Sequence, residues 1–160
     1  MKTTSRKTAL TWLWLSVFII TIDQLTKYLV LHYLTFGSTV KNFSWLNLTL
    51  NYNTGAAFSF LSTESGWQVY FFSLIALIVV IFLIVWLSRT QRSDKWRALG
   101  FSLIVGGALG NFIDRVRLGY VIDFMDFHIK NWHYATFNVA DSAICIGVFL
   151  LIVFLLDCPK

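Results

Sequence analysis

Apolar and polar positions along the chain alternate on two scales. Four long greasy runs come first: about Ala9 to Leu34, Trp67 to Leu87 without a single charge, a shorter glycine-rich run from Ala98 to Ile113, and about Val139 to Leu156. A helix needs about 20 apolar residues, within a range of roughly 17–25, to cross the hydrocarbon of a bilayer. The pattern therefore predicts four transmembrane helices, the third continuing into the polar residues at its end. The finer scale appears between the first two runs. In "NLTLNYN", Leu48, Leu50 and Tyr52 fall on one side and Asn47, Thr49, Asn51 and Asn53 on the other. That is the period of a half-buried strand, and "NTG" after it supplies a turn. The expected fold is an all-α membrane protein with a small sheet between the first and second spans. The sheet's greasy face, with Phe43 and Trp45, would lie at the headgroups; a surface loop with chance alternation is the alternative.

Composition agrees with lipid as the solvent. Hydrophobic residues make up 57% of the 160 and charged residues 13%, with mean hydropathy +0.67; a soluble chain carries about 25% charge. One integral membrane domain over 1–160 is expected. The first run is too long for a signal peptide and has no small-x-small cleavage site after it, so it reads as a retained span. Lys2, Arg6, Lys7, Arg89, Arg92, Lys95, Arg97 and Lys160 hold eight of the thirteen basic residues. With four spans they share one face, which the positive-inside rule makes cytoplasmic together with both termini. The net charge of +5 thus reads as topology, and the dispersal of the basic residues argues against a nucleic-acid site. The other face holds Glu64, Asp114, Asp123, Asp126 and Asp141, with His32, His128 and His133, and the two longest connections, about 35–66 and 114–137. Chemistry is expected there. Cys145 and Cys158 form neither a disulfide framework nor a metal-ligand spacing.

Several polar residues stand where lipid would exclude them. Gly106 and Gly110 form a small-xxx-small pair suited to close helix approach. Asn111, Asp114 and Arg115 follow and read as a structural polar clamp. Asp23 and Lys27, four apart in the first span, read as an ion pair facing the bundle interior, in a structural role at least as readily as a catalytic one. Asp123 follows "GYVI" in a loop returning to the membrane, and Asp141 lies in the first turn of the fourth helix. There a carboxylate is favoured by the helix dipole, and Asn138 can cap the helix or orient Asp141. If Asp123 and Asp141 meet, one pKa rises. One carboxylate can then activate water while the protonated partner polarises a carbonyl. Such chemistry suits a chain with neither HExxH nor GxSxG.

"DQLTK" from Asp23, "NYNTGAAFSF" from Asn51, "GNFIDRVRLGYVIDF" from Gly110 and "FNVADSAI" from Phe137 together resemble the lipoprotein signal peptidase family, signal peptidase II, over nearly the whole chain and in the family's order. The resemblance implies an aspartic endopeptidase of the bacterial inner membrane, its active site on the periplasmic side. It would cut prolipoproteins just before a diacylglyceryl-modified cysteine, without a cofactor or metal and as a monomer in membrane lipid. By motif match the catalytic dyad falls on Asp123 and Asp141, and the supporting residues on Asp23, Lys27, Asn53, Gly55, Asn111, Asp114, Arg115 and Asn138. A periplasmic sheet and a mobile loop over the dyad are implied as well. Two competing readings remain. A small four-helix transporter would need a central acid that the second, third and fourth spans lack. A non-catalytic subunit associating through Gly106 and Gly110 leaves the outer polar residues unexplained.

Overall fold

The computed structural model describes residues 8–41, 43–55 and 66–156. Lys2, Arg6, Lys7, Glu64, Cys158 and Lys160, and with them most of "GAAFSF", lie outside the described residues. A short 3-10 turn, Ala9–Trp12, leads into α1, Leu13–Tyr33; the other helices are α2, Trp67–Arg89, α3, Lys95–Leu118, and α4, Val139–Leu156. Among the described residues, three helical stretches are long and apolar enough to cross a membrane, Ala9–Tyr33, Trp67–Arg89 and Lys95–Leu118, while the apolar α4 is shorter. The amide of Ala9 donates to the carbonyl of Thr90 at 3.0 Å, and Thr8 bridges Gln91. The start of α1 and the basic turn between α2 and α3 therefore share one end of the molecule.

Lipid offers helices no hydrophobic drive to associate, so close backbone packing and interhelical hydrogen bonds must hold them. The middle helix, α3, supplies both. A Cβ on Gly106 would sit 2.9–3.0 Å from atoms of Ile19 and Ser16 in α1, and one on Gly107 would strike the Ala140 carbonyl in α4. Gly100 of α3 and Gly147 of α4 face each other in the same way. The Ser16 hydroxyl donates to the Ser102 carbonyl at 2.7 Å. Helix α2, by contrast, uses one stripe, Val80, Leu83 and Leu87, against Phe101, Ile104 and Val105 of α3. Most of its other large side chains, including Tyr70, Leu74, Ile78 and Phe82, stand exposed, as on a helix whose other faces meet lipid.

The small sheet is antiparallel and has four strands in the order β1-β2-β3-β4: Thr39–Lys41, Leu46–Asn53, Val121–Ile129 and Trp132–His133. It was expected between the first and second spans. Only β1 and β2 come from there; β3 and β4 come from the connection between α3 and α4. Asp123 accordingly lies on a strand rather than in a loop, paired with Asn51 across a register shift between Leu48 and Asn51. The predicted alternation of β2 is present. Leu50 is buried with Val30 of α1 and Ile122 and Phe124 of β3, and Leu48 and Tyr52 pack beside it. The asparagines turn to the polar side. Phe43 and Trp45 stack in an exposed position, ring centroids 5.6 Å apart.

Helix α3 continues, as expected, past the apolar run that ends at Ile113, so Asp114 and Arg115 are helical and the connection to α4 begins after them. Gly119 sets the true stop: with φ 79° it takes the left-handed conformation, and its amide donates to the Arg115 carbonyl, the usual glycine ending of a helix.

Candidate active site

Two groups of acids meet where α1, α3, α4 and β3 converge. The first is centred on Lys27, only 1% exposed. An ammonium has three donors and no acceptor. Here it finds three oxygens: Asp23 Oδ2 at 2.8 Å, Asp114 Oδ2 at 2.8 Å and Asn111 Oδ1 at 3.1 Å. The i,i+4 spacing of Asp23 and Lys27 sets the first contact; the close approach of α3 sets the others. Gly110 explains that approach, because a Cβ there would lie 2.7 Å from Asp23 Oδ2. Gln24 closes the group by donating to Asp114 Oδ1 at 2.8 Å.

Both acids of this group also grip the chain beside the second group. Asp23 Oδ1 accepts the amide of Ala140 at 2.9 Å, in the first turn of α4 and one residue before Asp141. Asp114 Oδ2 accepts the amide of Ile122 at 3.3 Å, one residue before Asp123. The pair expected between Asp23 and Lys27 thus exists, and the clamp expected of Asp114 exists too.

The second group is Asp123 and Asp141, joined through Asn138. Asn138 is the N-cap of α4: its Oδ1 accepts the Asp141 amide at 2.9 Å, and Asp141 Oδ2 accepts the Asn138 amide at 3.2 Å. This reciprocal arrangement is a capping box with aspartate in place of the usual glutamate or glutamine. The Asn138 side-chain amide then reaches Asp123 Oδ1 at 2.8 Å, so one fully buried asparagine contacts both aspartates. Their other oxygens have amide donors as well. Asn111 Nδ2 donates to Asp141 Oδ1 at 2.8 Å and Asn53 Nδ2 to Asp123 Oδ2 at 3.0 Å. Asn53 is fixed in turn by the Gly55 amide, which donates to its Oδ1 at 3.0 Å. Arg115 Nη2 donates to the Gly55 carbonyl at 3.0 Å, and its guanidinium lies 5.7 Å from the centre of the Phe72 ring.

Asp123 and Asp141 line one cavity of about 510 Å³. Its polar end includes Asn53, Asn111 and Arg115, and its apolar end Ile144 and Ile146 of α4. Asp23, Lys27 and Asp114 are absent from its wall. The Asp123 carboxyl is pushed up to about 7. Burial is the main cause and the Asp141 charge the second; hydrogen bonds from Asn53 and Asn138 and the Lys27 charge oppose them. A carboxyl that holds its proton near neutral pH beside a second carboxyl can act as an acid while its neighbour acts as a base. Among the described residues no group of three His, Cys, Asp or Glu has the arrangement of a metal site.

All ten residues singled out in the sequence gather here, and most touch one another. Three others were missed. Gln24 gave little signal, a lone amide beside Asp23 in an apolar run. Tyr134 and Thr136 border the cavity from a connection with no periodicity to read.

Residues 15–157 match the Signal peptidase (SPase) II family. A lipoprotein signal peptidase of Coxiella burnetii (strain Dugway 5J108-111) is 65% identical over 160 residues, covering 100% of this chain and 98% of the relative. A lipoprotein signal peptidase of Citrobacter koseri is 48% identical over 145 residues, 91% of this chain and 90% of the relative. A bacterial membrane enzyme solved by the in meso method at 1.9 Å superposes with a TM-score of 0.82 at 36% identity, covering 93% of this chain and 94% of that one.

Proposed function

The chain belongs to the signal peptidase II family, and from that premise we propose that it removes signal peptides from bacterial prolipoproteins through an Asp123–Asp141 dyad. The observation that carries the dyad is Asn138, which bonds Asp123 with its side chain and Asp141 with its backbone and Oδ1 at the wall of one cavity. In this reading Asp141 is the base. It sits at a helix N-terminus, where negative charge is favoured. Asp123 is the acid, consistent with a carboxyl raised to about 7. Asp141 takes a proton from a water whose oxygen attacks the scissile carbonyl carbon, while Asp123 gives its proton to the carbonyl oxygen. The tetrahedral diol then collapses. The C–N bond breaks, the cysteine nitrogen leaves with the proton held by Asp141, and a diol hydroxyl returns a proton to Asp123 as the new carboxyl forms. Water is consumed and the dyad is restored.

The cavity suits a substrate that is itself a membrane helix with acyl chains on its cysteine. Its apolar end lies along α4, and its acids lie beside the sheet. We place the cut before the diacylglyceryl-modified cysteine. We read α4 as a fourth span: its 18 residues reach about 27 Å at 1.5 Å per residue, close to the ~30 Å hydrocarbon. Arg89, Arg92, Lys95 and Arg97 at the end away from the sheet support a cytoplasmic assignment for that end and a periplasmic one for the dyad. An inner-membrane monomer is the simplest form of this reading.

The test is cleavage of a lipid-modified prolipoprotein by purified Asp123→Asn and Asp141→Asn variants whose melting shows an intact fold. Each should lose about 10³-fold or more in kcat, within the range that acid–base groups supply. Full turnover in both would overturn the assignment. Because the dyad supplies both acid and base, a metal chelator should leave the rate unchanged.

A further inference from the structure

Beyond the cavity that holds the dyad, the polar side of the sheet carries a second one of about 560 Å³. It is bordered by Thr39 and Thr49 of β1 and β2, Asn51, Asp126 and His133. The two cavities share Asn53 and residues 134–136. These three residues form a strap between β4 and α4 with a site on each side. The strap is tied down along its length. The Tyr134 amide donates to the Phe127 carbonyl at 2.8 Å, Asn51 Nδ2 donates to Thr136 Oγ1 at 3.1 Å, and the Phe137 amide donates to the Met125 carbonyl at 3.0 Å.

From this geometry we infer that the second cavity receives the residues that follow the modified cysteine, on the mature side of the scissile bond. The inference rests on the proposed peptidase reading. The leader is apolar and belongs with the Ile144–Ile146 end of the first cavity; the mature chain must leave in the opposite direction, toward the sheet and the strap. The volume lies in the usual range for ligand sites, about 300–1,000 Å³. Its chemistry is specific. The Thr39 and Thr49 hydroxyls lie 3.0 Å apart, so one bonds the other and the donor capacity of the acceptor stays available. Asp126 is held by Asn47 Nδ2 at 3.1 Å and by His133 Nδ1 at 2.9 Å. The wall therefore offers hydroxyl and amide partners around one fixed carboxylate. It favours a small polar or cationic side chain and disfavours an acidic or large apolar one. A site built to hydrogen-bond its substrate discriminates against groups that leave its polar atoms unpaired.

The test uses lipid-modified prolipoprotein substrates with Ser, Lys, Glu or Leu at the second position after the modified cysteine, assayed against the full chain, Thr49→Leu, Thr49→Ser and Asp126→Asn. The wild-type chain should cleave the Ser and Lys substrates with kcat/KM about tenfold above the Glu and Leu ones, the difference lying in KM. Thr49→Leu should erase the preference for Ser over Leu, and Thr49→Ser should retain it. Asp126→Asn should erase the preference for Lys over Glu. Equal kcat/KM on all four substrates with the wild-type chain would overturn the subsite while leaving the peptidase reading intact. So would a uniform fall in kcat on all four with Thr49→Leu, since that marks a structural role. Failure of the wild-type chain to cut any of them would overturn the peptidase reading and this inference with it.

Discussion

Two pairs of aspartates lie within one network, yet their surroundings are opposite. Asp23 and Asp114 flank a buried ammonium, accept backbone amides and are closed off from the cavity. Asp123 and Asp141 have only neutral amide partners among their bonded neighbours and open onto the cavity wall. The same side chain is a clamp where a buried cation pairs with it, and a reagent where its bonded partners are neutral amides. The clamp also aims the reagent. Asp23 holds the amide before Asp141, Asp114 holds the amide before Asp123, and Lys27 orients the Asn111 side chain that donates to Asp141.

This contrast can be broken most sharply by pairing two neutralisations. Asp141→Asn should abolish prolipoprotein cleavage, by about 10³-fold or more, with little change in melting. Asp114→Asn should keep measurable turnover per folded molecule and lower the melting temperature. Comparable catalytic losses in both would erase the distinction. Next in size is Lys27→Met. Removing one partner of a buried ion group leaves charge uncompensated and costs about 3–5 kcal/mol, to be read from unfolding in detergent; a melting temperature unchanged from wild type would remove the clamp from the account. Asn138→Ala sits between the two groups. It deletes an N-cap, costing about 1 kcal/mol, and frees both aspartates, so kcat should fall about 10²-fold, the scale of a 1 Å misplacement of catalytic groups. A loss of stability with kcat intact would make Asn138 a cap alone. Gly107→Ala should have the smallest effect. Its methyl meets the Ala140 carbonyl, and overpacking costs about 1–3 kcal/mol, measured as a lower melting temperature; an unchanged one would show that α3 and α4 can separate freely.

What the sequence made legible follows from the range of each interaction. The i,i+4 pair of Asp23 and Lys27, the N-x-x-D cap of Asn138 and Asp141, and the strand period of β2 are local, and each is present as read. The pairing of β2 with β3 joins segments some seventy residues apart, as in Asn51 with Asp123, and no local period announces it. That is why Asp123 looked like a loop residue and why the sheet was placed in one connection rather than two. The apolar run of α3 ends at Ile113 and its continuation into the polar residues was expected, but the stop at Gly119 was not read. The charges within that continuation find partners on other segments: Asp114 pairs with Lys27, and Arg115 donates to the Gly55 carbonyl. The convergence of Asp123 and Asp141 had no local signal either: the residues suggested the pair as acids on one side, and the family's motifs matched it.

The central claim is that Asp123 and Asp141 share a site closely enough for each to govern the other's proton. The folded Asp123 carboxyl is raised above the ordinary carboxylate range, so the native state binds more protons than the unfolded chain between about pH 4 and 7. Its contribution to stability is therefore greatest below pH 4 and falls as pH rises towards 7. The direct measurement is a spectroscopic titration of the Asp123 carboxyl, by isotope-edited infrared or NMR, in the full chain and in Asp141→Asn. The account predicts a midpoint near 7 in the full chain and a lower one in Asp141→Asn, still above the ordinary range because burial remains. A midpoint at ordinary carboxylate values, or one indifferent to residue 141, would contradict it.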